Sequence, residues 1–299
     1  MIKVTDKQYW MHPTLIPNLN TLCYNLQRDW QFAIIISGDS KVRIGKSMLG
    51  QQIGYYVAYK LNRPFTLDNV YFSGESLRKD ALKSRGGVFV LDESRTDLAA
   101  PKTLREETQE IIDFFNVSGM LNHFIILILP DFFDLTKTLA IGHTKYLINC
   151  FVQENVVRSN FGEVLKYDRG FYDFYGETKK KQLYLYGKKE HNYQATSHNF
   201  WGEFKKFWIF DEEEYNKRKF SFIMSHEKKE PKLKGKIARW VATKNSLIHY
   251  MNKTLGFSQN KIIQILKSYG INESQQNISF IVTNNKIQNT NILYHNGYE

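Results

Sequence analysis

The sequence predicts an α/β fold, a mostly parallel sheet flanked by helices, and three observations carry that reading. Residues 32–36 (FAIII), 88–91 (VFVL) and 124–129 (FIILIL) are continuous apolar runs, as strands buried on both faces require. Stretches of helical apolar spacing alternate with them, the pattern of a parallel sheet whose crossovers are helices. The 299 residues are 42% hydrophobic and 24% charged, a globular composition with room for a substantial core, which excludes disorder as the main state.

Taken in order, residues 1–30 read as a leading segment packed on the body. The FAIII strand ends at Ser37-Gly38, and after a loop a helix is expected over 46–60, where Leu49, Ile53, Tyr56 and Val57 share one side. A short strand at 70–72, a helix at 75–83 and a Gly86-Gly87 turn lead into VFVL, which ends at Asp92-Glu93. Residues 104–115 carry Leu104, Ile111, Ile112 and Phe115 on one side and acidic groups elsewhere, an amphipathic helix. FIILIL and 146–152 supply the last strands. From 155 to 210 the runs shorten, become aromatic and alternate, as in 182–186 (QLYLY), and predict antiparallel hairpins. Residues 211–219 read as a solvated helix and 227–236 as a charged linker. Residues 237–250 and 258–269 read as helices, the second with Ser258 as N-cap. The domains expected are 1–160, an α/β body; 161–226, a basic β-rich extension; and 227–299, a small basic helical unit with a frayed, Asn-rich end.

The stretch Ser37-Gly-Asp-Ser-Lys-Val-Arg-Ile-Gly-Lys-Ser47 lies between a buried strand and an amphipathic helix. It resembles a P-loop, or Walker A, sequence, in which backbone N–H groups wrap phosphates at a helix N-terminus. The binding loop so implied is Gly38, Asp39, Ser40, Lys41, Val42, Arg43, Ile44, Gly45, Lys46 and Ser47. Gly45 permits close approach, Lys46 bridges the terminal phosphates of ATP and Ser47 ligates Mg2+. The pattern GxxxxGK[ST] places glycine where this chain has Ser40, and the nearest glycine is Gly38. Val88-Phe-Val-Leu-Asp-Glu93 resembles a Walker B strand, with Asp92 for the metal and Glu93 as the base that activates water. A buried strand whose polar end caps a turn is the other reading of those residues.

With both motifs in this order and a strand expected between them, the chain is similar over about 30–150 to the P-loop ATPases of the additional-strand, catalytic-glutamate class. Within it, the resemblance is to FtsK/HerA-type DNA motors and to zonular occludens toxin-like ATPases of phages and mobile elements. That implies a RecA-like sheet and an oligomer in which one subunit's arginine reaches its neighbour's γ-phosphate. Arg158 and Arg169 lead Arg95 and Arg105 for that role, and Arg43 is placed to meet phosphate within the loop. Asp131 and Asn122 are the candidates for sensing the γ-phosphate after the third long strand.

Charge adds a partner. Residues 178–270 hold 20 Lys+Arg and 8 Asp+Glu, a net of +12, which leaves −1 for the rest of the chain. Its lysine clusters 179–181, 188–189, 205–206 and 217–219 interleave with Tyr184, Tyr186, Tyr193, Trp201 and Trp208. Nucleic acid, DNA above all, fits this best; an anionic membrane surface is the less favoured alternative, and core packing of the aromatics stays open. Residues 255–271 resemble half of a helix-turn-helix unit. Two cysteines without CxxC spacing and eight scattered histidines exclude a disulfide scaffold and point away from zinc. With no leader pattern at the start and no apolar run of membrane length, a soluble, cytoplasmic chain is expected. The function expected is a Mg2+-dependent ATPase acting on DNA; an ATP-binding switch that turns over slowly is the alternative.

Overall fold

Phe32–Ser37 (β1) has parallel neighbours along both of its edges and is buried from Ala33 onward. It pairs with Phe124–Ile128 (β4), Ile34 opposite Ile126, and with Tyr146–Ser159 (β5), Ile34 opposite Tyr146. Val88–Asp92 (β3) adds to β4, and Val70–Tyr71 (β2) adds to β3, both in parallel. Beyond β5, Gly162–Tyr175 (β6) and Phe200–Glu203 (β7) continue the sheet antiparallel, and the order is β2-β3-β4-β1-β5-β6-β7. The strands ending at Ser37 and Asp92 are therefore not neighbours; β4 lies between them. The computed structural model describes residues 5–38, 43–92, 112–159, 162–227 and 236–283. The chain forms two compact units, residues 1–228 and 229–299.

Strand side chains alternate between faces, so an all-apolar strand feeds two cores at once. Ile34, Ile36, Val88, Val90, Phe124, Ile126 and Ile148 pack with Leu15–Leu26 (α1) and Lys46–Leu61 (α2) on one face. Ala33, Ile35, Phe89, Leu91, Ile125, Leu127 and Leu147 pack on the other with Gly74–Ala81 (α3), helical residues 112–117 and Glu177–Gly187 (α4). The α1 helix, within what the sequence offered only as a leading segment, buries Leu15, Leu19, Leu22 and Leu26, and α2 stops at Asn62, whose φ of 52° is left-handed. Of the helix expected at 104–115, residues 104–111 lie outside the described residues.

Two expectations are corrected. The boundary at 160/161 falls inside the β5–β6 hairpin, and β6 and β7 extend the sheet that holds β1. The change of texture there marks strands that are only partly covered, not the start of another body. Residues 182–186, read as a strand, belong to α4, which buries Lys180, Leu183, Tyr184 and Gly187 at three- and four-residue spacing. Five alternating residues are too few to separate period two from this pattern; the tertiary contacts of Leu183 and Tyr184 decide it.

At the N-terminal end of the sheet, Asn122 acts as a clamp. Its Nδ2 donates to the carbonyls of Leu26 and Trp30, both at 2.7 Å, and Arg63 donates to its side-chain and backbone oxygens. Asn122→Ala leaves two backbone carbonyls and a guanidinium short of partners, and is expected to cost about 2–3 kcal/mol, read as a lower urea midpoint. Nearby, Gly87 N–H donates to His123 Nδ1, and Nε2 lies 3.0 Å from the Ala81 carbonyl. Burial lowers the pKa of this ring, consistent with a neutral structural histidine.

Among its described residues the second unit has the helices Lys236–Lys253 (α6), Gln259–Ser268 (α7) and Gln275–Thr283 (α8). Ile248, Met251, Ile262, Leu266, Ile278 and Val282 form its own core. Ser258 caps α7 by accepting from Lys261 N–H at 3.3 Å, and Gly256 and Gly270 take positive φ at its two ends.

Candidate functional site

The chemistry-bearing positions collect at the C-terminal ends of the parallel strands, where open α/β sheets form their crevices. The chain leaves β1 at Gly38, whose N–H donates to the Pro130 carbonyl at 3.3 Å. A Cβ there would sit 2.3 Å from Ile44 Cδ1 and 3.2 Å from the Cys150 carbonyl, so a larger residue requires Ile44 to shift. Ile44 is buried and pins the far side of the loop. Gly45 caps α2 with φ +96°, and a Cβ there would meet the Phe204 ring at 2.7 Å. The chain thus enters α2 at Gly45, and the positive end of the helix dipole lies at Lys46 and Ser47.

Lys46 and Ser47 are the first residues of α2. Burial lowers the Lys46 pKa, while Cys150, Asp92 and Asp131 work to raise it and Lys219 adds to the lowering. Asp92, at the end of β3, is 3% exposed. Its Oδ1 accepts from Lys219 Nζ at 3.0 Å and its Oδ2 accepts from the Tyr215 hydroxyl. The Ser47 side chain lies close enough to that same phenol to work toward lowering its pKa. Burial foremost, and the Asp92 charge next, push the Tyr215 pKa well above the usual phenol range, so the phenol keeps its proton and donates it to Asp92. Ser47 and Asp92 therefore flank the Tyr215 phenol from two separate elements. A hydroxyl and a carboxylate are hard donors that suit Mg2+, which takes most of its shell from water and phosphate, and the Lys219 ammonium marks where a cation is favoured.

A second cluster stands at the end of β4. Asp131 Oδ1 accepts from Phe133 N–H and from the Tyr193 hydroxyl, each at 2.9 Å, and Oδ2 lies 2.9 Å from His191 Nδ1. Burial works to raise the Asp131 pKa, but the bonds from His191, Phe133 and Tyr193 outweigh it and the net shift is downward. Tyr193 also reaches Ser37 Oγ at 3.4 Å, and Ser37 donates to Asn149 Oδ1 at 3.1 Å, which ties the ends of β1, β4 and β5 together.

Of the other residues singled out from sequence, Asp39, Ser40, Lys41, Val42, Glu93, Arg95 and Arg105 lie outside the described residues. Arg43 is exposed, and its carbonyl accepts from Arg169 Nη1 at 3.0 Å, so Arg169 braces the loop of its own chain. Arg158 lies on the projecting part of the β5–β6 hairpin, paired with Glu163 at 3.2 Å and 87% exposed. Nine residues beyond Asn149, it stands about 30 Å along the strand from the loop, out of reach of its own Lys46. Asn122 is removed from the sensor role: it precedes β4, at the opposite end of the strand from Lys46, and its polar atoms are spent on Leu26, Trp30 and Arg63.

The basic aromatic clusters take separate structural duties. Lys180 is fully buried, Lys188 donates to the carbonyls of Phe133 and Leu135, Arg218 pairs with Asp68 and Glu214, and Lys219 pairs with Asp92. Tyr184 and Trp208 pack in the cores, while Tyr186 and Trp201 are exposed. No local sequence pattern marks His191, Tyr215 or Lys219 as site residues, and Tyr193 stands in the sequence only as one of the basic-segment aromatics. The one usable signal was Tyr215 and Phe222 at i and i+7, an apolar stripe on the helix Glu212–Glu227 (α5), read as solvated over 211–219. Among the described residues, no helix is long and apolar enough to cross a membrane, and no group of three or more His, Cys, Asp or Glu side chains is arranged to hold a metal. In comparisons with protein families, curated proteins and solved structures, the chain matches none significantly.

Proposed function

We propose that this chain is a Mg2+-dependent ATPase of the P-loop type, coupling ATP hydrolysis to translocation, packaging or remodelling of DNA in a virus, plasmid or mobile element. The observation that carries the reading is that Ser47 and Asp92, from elements far apart in sequence, both lie beside the Tyr215 phenol and that Asp92 is within electrostatic range of Lys46. The position of β4 between β1 and β3 agrees with the additional-strand class. In this reading Lys46 holds the terminal phosphates, the loop N–H groups wrap them, and Ser47 and Asp92 carry the metal. Mg2+ bound there neutralises charge on the phosphate oxygens. Glu93 takes the proton from the attacking water, and an arginine from a neighbouring copy, Arg158 first among the candidates, completes the site in a homo-oligomer. The DNA part rests on the +12 charge of residues 178–270 and on the basic helical unit 229–299.

A second reading, an ATP-binding switch that assembles on DNA or a membrane complex and turns over slowly, is favoured by one observation. Tyr215 and Lys219 already engage the carboxylate that would carry the metal. The experiment is ATP turnover in Mg2+ by wild type and Glu93→Gln, with and without single- and double-stranded DNA. Turnover stimulated by DNA and reduced at least roughly 100-fold by Glu93→Gln is expected. Tight ATP binding with negligible turnover under every condition selects the switch, and no ATP binding rejects both.

A further inference from the structure

The α5 helix brings two groups onto Asp92 from one face, Tyr215 and, one turn later, Lys219. The carboxylate is almost wholly buried, and a buried charge needs a counter-ion and hydrogen bonds. Both are supplied by α5. Lys219 Nζ stands 3.0 Å from Asp92 Oδ1 and 3.3 Å from the Tyr215 hydroxyl, and that hydroxyl lies beside both Asp92 and Ser47. A divalent cation bound by Ser47 and Asp92 needs this space, and it is repelled by the Lys219 ammonium already held on the same carboxylate.

The way α5 is held bears on whether it can yield. Its start is capped by Asp211, whose Oδ1 accepts from Glu214 N–H at 2.7 Å. Phe72 packs against Tyr215 and Phe222, and Arg218 pairs with Asp68 across an exposed bridge. The segment leading into α5 is held by α2: Gln52 Nε2 donates to the Lys205 and Phe207 carbonyls at 3.0 and 2.8 Å, and Phe207 N–H reaches Met48 Sδ at 3.2 Å. The helix that begins with Lys46 and Ser47 is thus tied to the helix that covers Asp92. Trp208 lies against Tyr215, ring centroids 5.2 Å apart.

We propose that Lys219, positioned by Tyr215, holds the metal's place on Asp92 and is exchanged for Mg2+ when Mg2+–nucleotide binds, so that α5 sets the Mg2+ requirement of the site. Lys219 and Tyr215 are positioning residues for loading and are separate from the chemistry of water attack. The proposal rests on the P-loop reading above and specifies how that site is loaded.

The test is a Mg2+ titration of the binding of a non-hydrolysable ATP analogue, by calorimetry, to the full chain and to Lys219→Met, Tyr215→Phe and the exposed control Lys206→Met. Removal of the competing ammonium is expected to lower the half-saturating Mg2+ roughly tenfold in Lys219→Met, about the worth of one charged hydrogen bond that the metal no longer replaces. Tyr215→Phe lowers it less, and Lys206→Met leaves it unchanged. Lys219→Arg keeps the charge and the fold, and its requirement stays at or above that of wild type. In wild type, adding Mg2+ with the analogue changes the emission of Trp208, and Trp208→Phe removes that change. A Mg2+ requirement unchanged or raised in both Lys219→Met and Tyr215→Phe, with the analogue still bound, overturns the exchange and leaves the P-loop reading standing. Failure of every variant and of wild type to bind the analogue, with or without Mg2+, overturns the P-loop reading and the exchange with it.

Discussion

Lys46→Met is expected to reduce affinity for ATP by a factor on the order of 100 or more, while the unliganded chain melts no lower than wild type. Two charged hydrogen bonds to phosphate, each worth ~1.5–3 kcal/mol, account for the loss in affinity. The effect on stability runs the other way because burial lowers the Lys46 pKa, which means that the ammonium is held in the unliganded fold at a cost in hydration. Met has similar length and no charge to desolvate. Calorimetric titration with ATP and a thermal melt of the same preparations check both halves. Binding within threefold of wild type would exclude Lys46 from any phosphate-holding role, and a large drop in melting temperature would assign it to the architecture instead. A residue that is kept at a cost to the empty fold is the pattern expected of a ligand-holding group.

Lys180→Met is expected to flatten the pH profile of stability between about pH 7 and 10. Lys180 is fully buried beneath α4, where Nζ donates to the Thr144 carbonyl and, at 2.7 Å, to Thr144 Oγ1. Burial pushes its pKa from 10.5 down to about 7. The unfolded chain then binds one more proton than the folded chain between about pH 7 and 10.5, and stability rises with pH wherever the unfolded state holds the extra proton. The penalty is absent above the upper value, grows as the pH falls, and is complete below about pH 7. Its full size is on the order of 3–5 kcal/mol. Urea denaturation at intervals from pH 6 to 10 should show a rise for wild type and a much flatter profile for Lys180→Met. Thr144 Oγ1 keeps the Leu139 and Ala140 carbonyls as partners, so the substitution strands only the Thr144 carbonyl. Equal slopes in the two proteins would mean that Lys180 stays charged in the fold.

The strands were legible because their residues leave no alternative. FAIII, VFVL and FIILIL are too apolar to face water on either side, and they became β1, β3 and β4 in the center of the sheet. The helix that starts at Lys46 and the cap at Ser258 were also readable, since local spacing and one hydroxyl suffice to define them. Local reading failed where a residue's partner is distant. Residues 182–186 alternate like a strand yet form a helix because Leu183 and Tyr184 find a core under α4. Lysines that look like one basic stripe in sequence are spent singly, on a buried threonine, on two carbonyls and on a carboxylate.

By itself the sequence determined a parallel α/β body with Gly45-Lys46-Ser47 after one buried strand and Asp92 at the end of another, because burial of apolar runs and the conformational needs of glycine act within a few residues. Only the tertiary structure decided that β4 separates those two strands, that Asp131 gathers His191 and Tyr193 at its end, and that Tyr215 and Lys219 close over Asp92. The physical reason is that a buried carboxylate must be given a counter-charge and donors by whatever segment the fold brings near it. That segment lies more than one hundred residues away in the chain, where no local pattern records it.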